Sequence, residues 1–255
     1  MAHEYESQAG ASDRGARYRD EAHAFAAASP RQWTDASPVA RRPRREAVIV
    51  QYPGARPAPP ALSRGKRALD LVGAVVAIIL FLPLLLIIAA AIRLESPGPA
   101  VFRQRRGGLN GRTFTIYKFR TMRAQEDGDV ILQAYSGDER ITWLGRLLRR
   151  TSMDELPQLV NVLKGEMSLV GPRPHALAHD RFYGELIPDY ARRLRTRPGL
   201  TGLAQVAGLR GETREIDLMA ERVRHDLRYI EEWSLLLDLQ LIAGTAQALA
   251  AREAR

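Results

Sequence analysis

Asp154 and Glu155 are adjacent carboxylates between the basic stretch Arg149-Arg150 and an apolar run at 156–163. An ionised carboxylate flanked by cations can attack phosphorus, and a second acid one residue on can ligate Mg²⁺ or take a proton. Helix capping explains the same residues, since Ser152 and Glu155 have capping-box spacing. That box would put Pro157 at the fifth helical position, where its missing N–H matters; with Asp154 as N-cap, Pro157 falls at the third position and is tolerated. The spacing therefore predicts that Asp154 opens a helix, where backbone N–H groups and the helix dipole lower its pKa and attract phosphate.

Cations suited to a phosphate lie on both sides of this pair. A strand over 113–121 would put Phe114, Ile116, Lys118 and Arg120 on one face, ending in two charges that could grip a diphosphate or simply meet solvent. In Gly171-Pro172-Arg173-Pro174 two prolines fix φ on both sides of Arg173 and restrict where its guanidinium points. The basic stretch 192–197, ending in Arg197, suits lipid headgroups, a nucleotide phosphate or a solvated face. His175 and His179 have i, i+4 spacing, but a third ligand for zinc is missing. Neither a Walker motif nor a GxGxxG motif occurs.

Several elements must position these residues. Residues 71–92 contain 22 positions without a charge, roughly 33 Å as a helix and enough to cross a bilayer. Two features disfavour simple spanning. Pro83 interrupts the run, and both flanks are basic (Arg64, Lys66 and Arg67; Arg93, Arg103, Arg105 and Arg106), so the positive-inside rule asks both ends to stay cytoplasmic. A re-entrant helix kinked at Pro83 meets both demands. Asn110-Gly111 between two extended segments signals a β-hairpin. Residues 141–149 read as an amphipathic helix with Trp143, Leu144, Leu147 and Leu148 on one side. Residues 235–251 form a second apolar helix with Ser234 as N-cap; both suit the headgroup plane or a core.

The chain has 255 residues, no cysteine and a net charge of +9, with 35 arginines against three lysines. Disulfides, thiolate metal sites and cysteine nucleophiles are excluded. The charge admits phosphorylated small molecules, anionic lipid or nucleic acid. The long apolar run and the lack of a nucleic-acid motif argue against the last. Residues 1–60 are rich in Ala, Arg, Pro and Ser and predict a disordered tail.

The order of motifs resembles the bacterial sugar transferases, the monotopic polyprenyl-phosphate glycosyl-1-phosphate transferases. The likeness runs from about residue 64 to 245. It takes in Lys-Arg-Ala-Leu-Asp-Leu (66–71), the apolar run with Pro83, Ser-Pro-Gly-Pro (96–99) and Lys-Phe-Arg-Thr-Met (118–122). It continues through Asp-Glu-Leu-Pro-Gln (154–158), Asn-Val-Leu-Lys-Gly-Glu-Met-Ser (161–168), Gly-Pro-Arg-Pro (171–174), Arg-Pro-Gly-Leu-Thr-Gly (197–202) and Trp-Ser-Leu-Leu-Leu-Asp (233–238). Gly-Leu-Arg-Gly-Glu-Thr (208–213) looks like the hexose-1-phosphate branch of exopolysaccharide synthesis.

The resemblance implies an α+β, mostly helical fold. Residues 61–95 would form the re-entrant membrane helix. Residues 96–255 would form a small catalytic domain, with a β-hairpin and amphipathic interfacial helices, on the cytoplasmic face of the bacterial inner membrane. It implies attack by Asp154 on the β-phosphorus of a UDP-sugar (glucose or galactose), release of UMP, and transfer of the phosphosugar to undecaprenyl phosphate. Glu155 is then the partner acid serving Mg²⁺, and Arg173 the phosphate-binding arginine. Lys118, Arg120 and, more loosely, Arg149 and Arg197 surround the phosphates. Nucleic acid is not an expected partner; self-association stays open. Leu203 departs from the family by replacing a frequent tryptophan. The alternative is a non-catalytic membrane scaffold of a polysaccharide assembly complex.

Overall fold

The computed structural model describes residues 57–123, 138–210 and 216–253. The expected disordered tail lies outside these residues up to position 56. The folded body begins before the expected boundary at 61, because Ala58 is buried and its N–H donates to the Arg195 carbonyl at 2.8 Å.

The described residues form an α+β, mostly helical fold. A short helix α1 (Pro59–Leu62) leads into α2 (Arg64–Glu95), whose 32 residues include the whole apolar run. Ser63 caps α2 by accepting from the Lys66 N–H, so the turn between the two helices is fixed by a side chain. Pro83 sits inside α2, and the helix continues on both sides of it. Strands β1 (Val101–Gly107) and β2 (Thr113–Phe119) pair antiparallel, Val101 with Phe119 and Gly107 with Thr113. Their connection carries Asn110 at φ 55° and Gly111 at φ 73°, the left-handed pair that Asn-Gly provides with least strain.

Helix α3 (Trp143–Thr151) is capped by the Thr142 hydroxyl, a 3₁₀ turn spans Met153–Gln158, and α4 (Leu159–Lys164) follows. Strand β3 (Ser168–Val170) pairs parallel with β4 (Gly199–Thr201). Between them lie α5 (Leu177–Leu186) and a 3₁₀ segment, Tyr190–Arg195. Short helix α6 (Leu203–Val206) precedes the long helices α7 (Ile216–Glu231) and α8 (Leu235–Glu253), α8 opened by the Ser234 hydroxyl.

One face of α2 lies along this body for most of its length. Near its start Ala74 packs with Phe114, Ile116, Leu159 and Val162; near its end Ile88 and Ile92 pack with Phe119 and Leu148. Val72, Val76, Ile79, Leu80, Leu86 and Ile87 face outward and are exposed. Among the described residues α2 is the one helix long and apolar enough to cross a bilayer. In α3 the expected apolar side divides: Leu148 enters the core, while Trp143 and Leu147 stay exposed.

The parallel pair depends on two glycines. A Cβ on Gly199 would stand 2.1 Å from the Gly171 nitrogen, and one on Gly171 would stand 2.5 Å from the Arg197 carbonyl. Only glycine lets the Gly-Pro-Arg-Pro turn rest directly on the Arg-Pro-Gly segment.

Candidate functional site

Asp154 and Glu155 occupy the 3₁₀ turn between α3 and α4. Asp154 is not a helix N-cap, as its spacing predicts. Ser152 adopts a left-handed conformation (φ 62°), ends α3 and starts the turn, and the α-helix begins only at Leu159. Pro157 therefore lies within the 3₁₀ turn rather than in an α-helix. The surroundings of the two neighbouring carboxylates differ.

Glu155 is buried and gathers three cations. Lys118 on β2 donates to Oε1 at 3.1 Å. Arg173 donates to Oε1 at 2.7 Å and to Oε2 at 3.3 Å. Arg210 donates to Oε2 at 3.0 Å and, through its other terminal nitrogen, to the Ser152 hydroxyl at 2.6 Å. Burial alone would raise the Glu155 pKa; Arg173, Lys118 and Arg210 outweigh it and hold the carboxyl well below the ordinary glutamate value. Asp154 is buried too, and among the described residues its side chain accepts no hydrogen bond. Burial, then the Glu155 charge, raises its pKa, against Lys118, Arg149 and Arg173. The pair thus contains one carboxylate fully engaged by cations and one left open beside them.

Arg173 is placed by its backbone as well as its prolines. Arg193 donates to the Arg173 carbonyl at 2.7 Å, and its Nε pairs with buried Asp226 at 2.7 Å. His175 joins the same network, within 2.6 Å of the Tyr190 hydroxyl and 3.0 Å of Arg193. It packs into the support behind Arg173. Arg149 lies near Asp154, with its guanidinium donating to the Thr121 hydroxyl and to the Met122 sulfur.

Two expected site cations go elsewhere. Arg120 follows the end of β2 and folds over the end of α2, donating to the carbonyls of Ile92, Ser96 and Pro97 and to the Ser96 hydroxyl. The alternation that put it beside Lys118 ends with the strand, and the open carbonyls at a helix C-terminus attract a guanidinium. Arg197 donates to the Gly165 and Ala61 carbonyls at 3.0 Å, tying β4 to α1 and the end of α4. Both placements have one cause: arginine satisfies exposed carbonyls as readily as phosphates.

Arg210, Ser152 and Arg193 escaped the reading of site residues. Arg210 lies 55 positions from Glu155, and only the motif at 208–213 drew notice to it. Leu203, at the position of the family tryptophan, packs against the cluster of Val170, Tyr229 and Ile230. Other motifs build scaffold. Lys66 donates to the Val170 carbonyl, the Tyr229 hydroxyl and Asp238, while Asp70 accepts from the Ser168 hydroxyl and the Leu169 N–H.

Relatives carry a similar sequence over this body. A glucose-1-phosphate transferase of Caulobacter vibrioides, named for UDP-glucose and undecaprenyl phosphate, is 57% identical over 74% of this chain and 71% of its own length. Proteins of the same name from Escherichia coli and Xanthomonas campestris are 49% and 52% identical, each over 69% of this chain. The chain spans little more than a third of those two, 38% and 37% of their length. Residues 62–252 match the family described as bacterial sugar transferase, a stretch that holds both carboxylates, the three cations on Glu155 and the whole of α2. The chain belongs to the bacterial sugar transferase family.

Proposed function

We propose that the protein transfers glucose-1-phosphate from UDP-glucose to undecaprenyl phosphate, an opening membrane step of exopolysaccharide synthesis. The observation that carries this reading is the open carboxylate of Asp154 beside a cation-clamped Glu155. A nucleophile must keep its lone pairs free, and its neighbours must neutralise the charge of the group it attacks.

In the first step an Asp154 oxygen attacks the β-phosphorus. The bond from that phosphorus to the bridging oxygen breaks, UMP leaves with the electron pair, and a phosphosugar-aspartyl intermediate remains. In the second step an oxygen of undecaprenyl phosphate attacks the same phosphorus and restores the Asp154 carboxylate. Lys118, Arg173 and Arg149 hold the phosphates in line and offset their charge, which is most of what phosphoryl transfer requires. Glucose as the sugar, rather than galactose, is supported by the names of the relatives above.

Mg²⁺ suits this donor set when it arrives with the substrate. The ion commonly takes one or two protein carboxylates and completes its shell with phosphate oxygens and water. The described residues contain no cluster of three His, Cys, Asp or Glu side chains, so the site offers two carboxylates and leaves the other positions to the diphosphate. Glu155 would hold it there, and its charge would offset the diphosphate.

The membrane reading follows from the two ends of α2. Lys66 and Asp70 fasten its beginning to β3 and α8, and Arg120 and Phe119 fasten its end to the strand that carries Lys118. A helix crossing a bilayer could not have both ends held by one body on one side. The outward apolar face would therefore sit in a single leaflet, with Pro83 near its deepest point and Trp143 and Leu147 in the headgroup plane. The catalytic body would then lie on the cytoplasmic face of the inner membrane.

UMP release from UDP-glucose by detergent-purified full-length protein tests the activity. Multiple turnovers that require undecaprenyl phosphate and Mg²⁺ support it. Folded protein that releases no UMP from any UDP-sugar would overturn it in favour of a membrane scaffold.

A further inference from the structure

Glu155 holds more positive charge than one carboxylate requires. Lys118, Arg173 and Arg210 each have a direct ion pair with it, at 3.1, 2.7 and 3.0 Å. Together they exceed the combined charge of Asp154 and Glu155, before Arg149 is counted. Partly desolvated cations in surplus are costly unless an anion joins them. Of the three, Lys118 is fixed by the β-hairpin, and Arg173 by two prolines and the bond from Arg193 to its carbonyl.

Arg210 is placed differently. It follows a turn at Gly208 (φ 87°), and the Leu209 carbonyl is held by the buried Arg222 of α7 at 2.8 Å. Its backbone is thus anchored while its guanidinium reaches the carboxylate turn. Both its partners, the Ser152 hydroxyl and Glu155 Oε2, flank Asp154 in sequence. The planar fork of an arginine spans two oxygens of one phosphate as well as it spans these two groups.

We propose that Arg210 is a ligand of the transferred phosphate. In the free enzyme it neutralises Glu155. When the nucleotide sugar binds, its guanidinium turns from Ser152 and Glu155 onto the non-bridging oxygens of the phosphate that Asp154 attacks. It stays there through both half-reactions, because that phosphate passes from donor to Asp154 to acceptor. The α-phosphate, which leaves with UMP, is not its target. The proposal rests on the phosphoglycosyl transfer described above.

The test compares wild type with Arg210→Gln and Arg210→Lys in full-length protein. The expected result is a loss of about 100-fold in kcat/KM for UDP-glucose in Arg210→Gln, the usual scale for removing one charge-stabilising donor. Arg210→Lys should recover part of it. The inhibition constant of UMP should stay within about twofold, and the melting temperature should not fall. Wild-type activity with an unaffected Arg210→Gln would overturn the role of Arg210 alone. So would a loss matched by an equal loss of UMP affinity or by a lower melting temperature, the signature of a merely structural contact. A wild-type protein inactive on every UDP-sugar would instead remove the transferase reading beneath it.

Discussion

Two buried carboxylates organise this protein, and they are built in opposite ways. Asp238 in α8 is fully buried and accepts from Lys66 and the Trp233 indole on one oxygen and from Tyr229 on the other. Lys66 is the one cation paired directly with Asp238 there among the described residues, and neutral donors take the remaining lone pairs. Glu155 accepts from three cations that are each about one-fifth exposed, and its neighbour Asp154 accepts no side-chain hydrogen bond among the described residues. The first hub is closed and locks the start of α2 to β3 and α8. The second is unbalanced in charge and open at one carboxylate. A matched, satisfied ion cluster marks scaffold; a cation surplus beside a free carboxylate marks a place prepared for an anion.

Exchanging the acid in each hub tests that contrast. Asp154→Asn should lower turnover by about 10³-fold or more, since it removes the proposed nucleophile and keeps the shape. Its melting temperature should hold or rise, because a buried acid with a raised pKa is lost. Turnover within tenfold of wild type would remove Asp154 from the chemistry.

Asp238→Asn should act the other way. It leaves the Lys66 ammonium buried without its direct ion-pair partner, a change that costs about 3–5 kcal/mol. Denaturant unfolding should show this loss, with activity per folded molecule preserved. A large fall in turnover at unchanged stability would show that the α2 anchor reaches into catalysis.

Arg120→Lys sharpens the boundary between the hubs. A lysine cannot serve four acceptors at the end of α2, so stability should drop by about 2 kcal/mol, with KM for the donor unchanged. A raised KM with full stability would return Arg120 to the phosphate site.

Asp180 lies between the two kinds of hub. It accepts from the Tyr190 hydroxyl at 2.8 Å, and Arg193, Arg106 and His175 face it. Burial pushes its pKa up to about 6 from an ordinary 3.8. The folded protein therefore binds the proton more tightly than the unfolded chain. Stability from this residue is fully present below about pH 4 and declines as pH rises through 6. Asp180→Asn should accordingly stabilise the protein by about 1–3 kcal/mol at pH 8 and have no effect near pH 4. A variant that melts lower at pH 8 would mean that the facing arginines outweigh burial.

The hairpin was legible because Asn-Gly between extended segments leaves few alternatives, and α2 because 22 uncharged residues admit little else. The carboxylate pair was legible through its arginine flanks and the order of motifs. The parallel pair β3–β4 was not: three-residue strands carry no periodic signal, and their pairing rests on close approach at Gly171 and Gly199, 28 positions apart. The helix expected to begin at Asp154 begins at Leu159 because the left-handed Ser152 tightens the chain into a 3₁₀ turn first.

The sequence by itself determined the family, the apolar helix, the hairpin and the acidic pair, all properties of neighbouring residues or of motif order. Which arginines face that pair was decided only in three dimensions. Arg120 and Arg197 were drawn to backbone carbonyls, Arg193 to the support of Arg173, and Arg210 to Glu155. Guanidinium groups are chemically alike, and in a chain with 35 of them local sequence cannot say which anion or carbonyl each will meet. Distances between distant segments settle that, and only the packed fold sets those distances.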